Sequence, residues 1–174
     1  YYFAWFYMGN IYGIGGPLHD DFFFEKCELA RKNHRRMKTL GMDIVLQAYT
    51  GMAPADIQKK DRDIPVIPQG KWNNLERPLL ISPDSVSYIK YASLFYECQK
   101  EVFGDITHYY AGDVCHEGGT LGKANSKEIY TNIMQSMLSF DKEAVWVLQS
   151  WGENPSKQFT KTVKPYRDDH ILLL

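Results

Sequence analysis

Glu117 is the residue best placed to do chemistry. It follows an apolar run, His108–Gly112, that reads as a strand. His116 precedes it, and Gly118 and Gly119 follow, leaving room for a substrate against the backbone. A carboxylic acid at such a strand end can protonate a leaving oxygen when partial burial raises its pKa. It could equally serve as a loop cap. His116 is a candidate to orient Glu117 or to meet a hydroxyl, although a structural histidine fits the spacing as well. Asp113, four residues before Glu117, would share its face if extension continued through both. That makes it either a second carboxylate or a loop anchor. Trp5, Trp72 and Trp151 border glycine, asparagine or strand-end positions, and indole offers a flat apolar face with one N–H donor. Each, like Met8, fits core packing too, and Trp146 in mid-strand reads as core.

Other chemistries lack parts. Gly13-Ile-Gly15-Gly16 does not have dinucleotide-binding spacing, and no P-loop, HExxH or GxSxG pattern occurs. Cys115 beside His116 suggests a thiol nucleophile, but neighbours on a strand point to opposite faces. Cys27, Cys98 and Cys115 form no CxxC or Cys/His cluster, so neither structural zinc nor a disulfide framework is indicated. No metal or organic cofactor is expected. A net charge of −1 gives no electrostatic reason to expect nucleic acid as a partner, and no run of about 18 apolar residues suggests a membrane span. The 12 Tyr, 9 Phe and 4 Trp suit a thick core or a site that stacks on sugar faces. No Asn-x-Ser/Thr signal is present, which favours a bacterial over an animal secretory protein.

The elements that must carry these residues alternate. Ala4–Met8 reads as a strand, followed by turn residues through Pro17. Asp20 or Asp21 is expected to cap a helix running to about Leu40, with Cys27, Ala30, His34 and Met37 on one face and Gly41 beyond its end. Met42–Tyr49 is expected to be a buried strand, with a loop from Gly51 to Pro54 behind it. Residues 55 to 81 have the least pattern: a short helix near Pro54–Lys60 is followed by Pro65, Pro68 and Pro78. Ser82 and Pro83 resemble an N-cap and first helical position, for a helix to about Phe103 that Gly104 ends. Ser126 opens a helix with the stripe Ile129, Ile133 and Met137. Ala144–Gln149 is a further strand, Lys164 onward a further helix, and the closing Leu residues read as the start of a helix's buried face.

Strand–helix repeats without hairpin signals imply a parallel sheet covered by helices. A doubly wound sheet and a (β/α)8 barrel both fit. The unusual residues follow strands, which in a barrel meet at one face. About four units are visible, so roughly half a barrel is expected. Residues 1–174 then form part of a single domain, cut at both ends inside apolar segments.

The ordered set of motifs resembles one family, the alpha-N-acetylglucosaminidases (glycoside hydrolase family 89). The matching stretches are Trp5-Phe-Tyr-Met8-Gly-Asn10 with Gly16-Pro17-Leu18, and His34-Arg-Arg-Met-Lys-Thr-Leu-Gly-Met42. Val45-Leu-Gln-Ala-Tyr-Thr-Gly51-Met-Ala-Pro54 and Trp72 with Arg77-Pro78 come next, then His116-Glu117-Gly118 and Ala144-Val-Trp-Val-Leu-Gln-Ser-Trp151. The resemblance implies a (β/α)8 barrel and hydrolysis of terminal alpha-linked N-acetylglucosamine with retention of configuration. It implies Glu117 as general acid/base at the end of the fourth strand. His116 fills a position that is Asn or His in the family, and Trp5, Met8, Trp72 and Trp151 match positions lining the sugar pocket. Val114-Cys115 departs from the family's frequent Pro-Phe. The family's nucleophile, a second Glu, would lie beyond Leu174, and Glu153 matches no such position. The implied partners are a glycan ending in alpha-linked N-acetylglucosamine and the remainder of the barrel. The implied setting is the exterior or surface of a bacterium, or the lysosome of an animal. The alternative is a barrel fragment that binds N-acetylglucosamine without cleaving it.

Overall fold

The computed structural model describes residues 19–54, 56–72, 74–115, 119–152 and 154–174. The expected strand Ala4–Met8 and its glycine-rich turn lie outside them. Helix α1 spans Asp20–Thr39, close to expectation, but its N-cap is His19, whose Nδ1 accepts from the Asp21 N–H. Asp20 and Asp21 occupy the first turn instead, where their charges favour the helix dipole. The face carrying Cys27, Ala30, His34 and Met37 is half-buried, as are Phe22 and Arg31, and the rest of α1 is exposed. Leu40 is the C-cap and Gly41 sits at φ +73° beyond it. The Met42 N–H reaches the Met37 carbonyl and the Gly41 N–H that of Lys38, so a Schellman motif closes the helix.

The chain continues through β1 (Val45–Gln47), β2 (Met52–Ala53), α2 (Ile57–Lys60), β3 (Val66–Ile67), β4 (Lys71–Trp72), β5 (Leu75–Glu76) and β6 (Leu79–Ile81). It then enters α3 (Val86–Phe103), β7 (Tyr109–Ala111), α4 (Ser126–Phe140) and β8 (Val145–Leu148). The helical stretch α5 (Lys157–Val163), a 3-10 turn (Lys164–Tyr166) and α6 (Arg167–His170) leads to β9 (Ile171–Leu173).

The principal sheet has the order β1-β7-β8-β9, every pair parallel. Spatial order therefore follows chain order. A doubly wound sheet reverses its order at a switch point; no reversal occurs among the described strands. Helices α1, α3, α4 and α5 also pack in chain order, each against the next. Right-handed crossovers that always advance in one direction put all helices on one face, as in the outer ring of a barrel. This is part of a TIM-type barrel.

The core lies between that ring and the sheet. Tyr88, Ala92 and Tyr96 of α3, Ile129, Ile133, Met134 and Met137 of α4, and Trp146 of β8 are all fully buried. Phe159 and Val163 of α5 complete it, with Phe159 edge-on to Trp146 at 5.2 Å between ring centres.

Six further local expectations need correction. Only Val45–Gln47 of the expected buried strand pairs, and Val45 is 46% exposed because β1 is the edge of the described sheet. Burial falls instead on Ile44 and on Ala48–Thr50. Ser82-Pro83-Asp84-Ser85 is a turn, with Ser85 donating its N–H to the Ser82 carbonyl. Ser85 is the N-cap of α3 and accepts from the Tyr88 N–H. Pro83 fixes φ for the second turn position as readily as for a first helical one. Asn125, not Ser126, caps α4. Residues 51–81 contain two small antiparallel sheets, β2-β6-β3 and the hairpin β4–β5, whose turn carries Asn74 at φ +65°. Finally, helix begins at Lys157 after the N-cap Ser156, and Ile171–Leu173 is a strand on β8 rather than a helical face.

Candidate functional site

The C-terminal ends of β1, β7 and β8 come together through specific bonds. Past β1, the Ala48 N–H donates to the Ala111 carbonyl at 2.7 Å, carrying the pairing one step beyond the strand. Tyr49 then leaves the ladder, and two buried hydroxyls of α3 replace it. The Tyr49 N–H donates to Tyr96 Oη at 3.0 Å, and Tyr88 Oη donates to the Tyr49 carbonyl at 2.8 Å. An unpaired peptide group buried here would be costly. Tyr88 and Tyr96, one face of α3, thus fix the exit of β1 toward the site. Burial holds all three phenols, Tyr49, Tyr88 and Tyr96, well above their ordinary pKa.

At the end of β7, a Cβ on Gly112 would stand 3.0 Å from Thr50 Cγ2 and 3.1 Å from the Ala48 Cβ. The missing side chain lets the two strand ends approach. The Gly112 carbonyl accepts from Trp146 Nε1 at 2.8 Å. Trp146→Phe leaves that carbonyl unpaired and is expected to cost about 1–3 kcal/mol, read as a lower denaturant midpoint. An unchanged midpoint would show that the bond contributes nothing.

Asn154 ties the loops after β7 and β8. Its Nδ2 donates to Asp113 Oδ1 at 3.2 Å and to the Gln149 carbonyl at 2.7 Å. Asp113 is therefore bonded as a loop anchor. Trp151 and Asn154 exchange two backbone bonds across a turn in which Gly152 takes φ +55°. Trp151, three residues past β8, is 49% exposed. Burial pushes the Cys115 thiol up to about 11, an effect the Arg77 charge partly offsets. A thiol held neutral at pH 7 is a poor nucleophile, which agrees with setting Cys115 aside.

Beyond β1, the small antiparallel sheets return to the same face. Buried Gln69 accepts the Thr120 N–H at 3.0 Å and donates to the Thr120 carbonyl at 2.8 Å, just past Gly119. Trp72 lies in β4, its backbone paired with Leu75. Trp5, Met8, His116, Glu117 and Glu153 lie outside the described residues. The structure thus sets Gly112 against Thr50, ties Asp113 to the Trp151–Asn154 turn through Asn154, and ties Thr120 to Gln69. Sequence reading missed Gln69, Asn154, Tyr88 and Tyr96. The i, i+4, i+8 spacing of Tyr88, Ala92 and Tyr96 was a usable signal; Gln69, between Pro68 and Gly70, offered none. Among the described residues no group of three His, Cys, Asp or Glu side chains could hold a metal ion, and no helix is long and apolar enough to cross a membrane.

The profile of the alpha-N-acetylglucosaminidase tim-barrel domain matches residues 1–174. The chain belongs to the alpha-N-acetylglucosaminidase family. Among solved family members it is similar to the family 89 glycoside hydrolase from Clostridium perfringens in complex with 2-acetamido-1,2-dideoxynojirmycin. That match has 42% identity and a TM-score of 0.89, and covers 99% of this chain and 20% of that one. A form of the same bacterial hydrolase with two Glu→Gln substitutions, in complex with its substrate GlcNAc-alpha-1,4-galactose, matches at 41% identity with a TM-score of 0.90 and the same coverage. The human alpha-N-acetylglucosaminidase is 27% identical over 165 residues, 90% of this chain and 22% of the human protein. The chain thus spans about a fifth of these relatives.

Proposed function

We propose that residues 1–174 form part of a single catalytic barrel in a retaining exo-glycosidase that removes terminal alpha-linked N-acetylglucosamine. Glu117 is its general acid/base, and a second carboxylate outside this chain is its nucleophile. The observation that carries this reading is the bracing of both flanks of the 116–118 segment at the barrel face where such enzymes build their sites: Gly112 and Asp113 on one side, Thr120 on the other. The bacterial relative, substituted at two glutamates in complex with its substrate, supports a two-carboxylate site.

In the first step Glu117 protonates the glycosidic oxygen as the nucleophile attacks the anomeric carbon. In the second it deprotonates the water that releases the sugar. Retention requires the two carboxyls about 5–5.5 Å apart. Trp5, Met8, Trp72, His116 and Trp151 line the sugar pocket in this reading. Half-exposed Trp151, in the turn past β8, is available for stacking on a pyranose face. Similarity to a clostridial hydrolase supports a bacterial source, and a glycan substrate supports a setting outside the cell or on its surface, with the lysosome as the setting in an animal.

The test is hydrolysis of an alpha-linked N-acetylglucosamine disaccharide by the longest reading frame containing this chain. Glu117→Gln is expected to slow it by about 10²-fold or more. Equal rates would make Glu117 a bystander. An inert wild type that still binds N-acetylglucosamine would favour a binding protein.

A further inference from the structure

Gln69 belongs to no helix or strand, yet it is only 5% exposed. Its carboxamide is committed chiefly to one residue. Nε2 donates to the Thr120 carbonyl at 2.8 Å and Oε1 accepts the Thr120 N–H at 3.0 Å, while Nε2 also reaches the Ile67 carbonyl at 3.3 Å. A primary amide presents a donor and an acceptor much as a peptide unit does. Gln69 therefore supplies Thr120 with what a neighbouring strand would supply. Two further contacts fasten the same stretch: the Gly122 N–H donates to Thr120 Oγ1 at 3.0 Å, and a Cβ on Gly122 would lie 3.3 Å from Ile67 Cγ2.

Thr120 follows Glu117 by three residues in the sequence. The opposite stem of that loop is already held through the Gly112 carbonyl and Asp113. The Gln69 clasp is a bond between the loop's far stem and the antiparallel insert, and it needs both amide atoms. We propose that Gln69 is a positioning residue for Glu117, fixing the C-terminal stem of the acid loop so that the carboxyl meets the glycosidic oxygen. The proposal rests on the reading of Glu117 as acid/base given above.

General acid help matters most when the leaving group is poor. A misplaced acid therefore damages cleavage of a disaccharide far more than cleavage of a dinitrophenyl glycoside, whose phenolate departs unaided. In the longest reading frame containing this chain, Gln69→Leu keeps the volume and removes the bonds. It is expected to lower kcat/KM for the disaccharide by about 10-fold or more, through kcat rather than KM, and to affect the dinitrophenyl glycoside far less. Gln69→Glu keeps the acceptor for the Thr120 N–H but turns a second oxygen toward the Thr120 carbonyl, a clash that protonation relieves. Its disaccharide activity is expected to recover on acidification, moving the basic limb of the pH profile to lower pH.

A role confined to folding would depress both substrates together and, in Gln69→Glu, let acid restore both alike; either result overturns the proposal. If Gln69→Leu yields no folded protein, Gln69→Glu decides alone, by whether its loss and its recovery on acidification fall on the disaccharide and spare the dinitrophenyl glycoside. Wild type inert on both substrates, or Glu117→Gln as active as wild type, overturns the acid/base reading and this proposal together. Wild type and Glu117→Gln behaving as expected, with unselective Gln69 variants, overturns this one only.

Discussion

Gly51→Ala is expected to destabilise the protein by about 4 kcal/mol, combining strain at a forbidden φ with overpacking. Gly51 takes φ +106°, and a Cβ there would stand 2.6 Å from the Ile81 carbonyl oxygen and 2.9 Å from Leu80 Cδ1. A leucine tip can move. The Ile81 carbonyl is backbone of β6, whose own N–H is bonded to the Gly51 carbonyl at 2.7 Å, so yielding there pulls β6 from β2. Gly41→Ala is the matched control, since Gly41 has φ +73° with open space around it. It carries the strain alone, about 1–2 kcal/mol. The thermal midpoints of the two variants in the complete reading frame separate these contributions. Equal losses would show that the close approach of Gly51 to β6 is immaterial.

The second large effect is alkaline. In the unfolded chain a tyrosine ionises near pH 10, whereas burial keeps Tyr49, Tyr88 and Tyr96 protonated in the fold well beyond that. Above about pH 10 the unfolded state therefore binds fewer protons than the folded state, and stability falls as pH rises. Below that pH the contribution is complete and constant. With Tyr110, raised by burial and by the Asp141 charge, four such groups give a slope of up to about 5–6 kcal/mol per pH unit, each adding about 1.4. Tyrosinate absorbance during an alkaline titration reads this directly. Tyr88→Phe is expected to leave the gradual titration before unfolding unchanged and to shrink the step at unfolding by one phenol. Loss of a phenol from the gradual phase would mean that Tyr88 titrates in the native state.

The sequence was most legible where one face of a long element is apolar. The stripe Ile129, Ile133 and Met137 is buried as its period demands, and Gly41 and Gly104 end their helices at positive φ. Boundaries slipped where two residues offered similar caps: Asn125 beside Ser126, and Ser85 three beyond Ser82. Residues 51–81 were illegible as sheet because strands of two or three residues are too short to show alternation. The Asn73-Asn74 pair was the one available hairpin signal there. Ile171–Leu173 was misread because a continuous apolar run suits a buried parallel strand and a buried helix alike. Of the candidate site, the ends of β1, β7 and β8 could be read from order along the chain. The Gln69–Thr120 and Asn154–Asp113 ties could not, since nothing local announces which distant backbone a carboxamide will meet.

Sequential strand order also bears on how the sheet comes to exist. Each strand needs only its predecessor, but the chain between partners shortens steadily, from Val45–Tyr109 to Tyr109–Val145 to Trp146–Ile171. Closing the longest of these loops costs about 0.8 kcal/mol more entropy than closing the shortest. The β8–β9 pair is thus favoured as the first to meet and β1–β7 as the last. The insertion that delivers Gln69 to Thr120 is also what lengthens the β1–β7 connection, so the segment that makes this tie delays the closure of the seam.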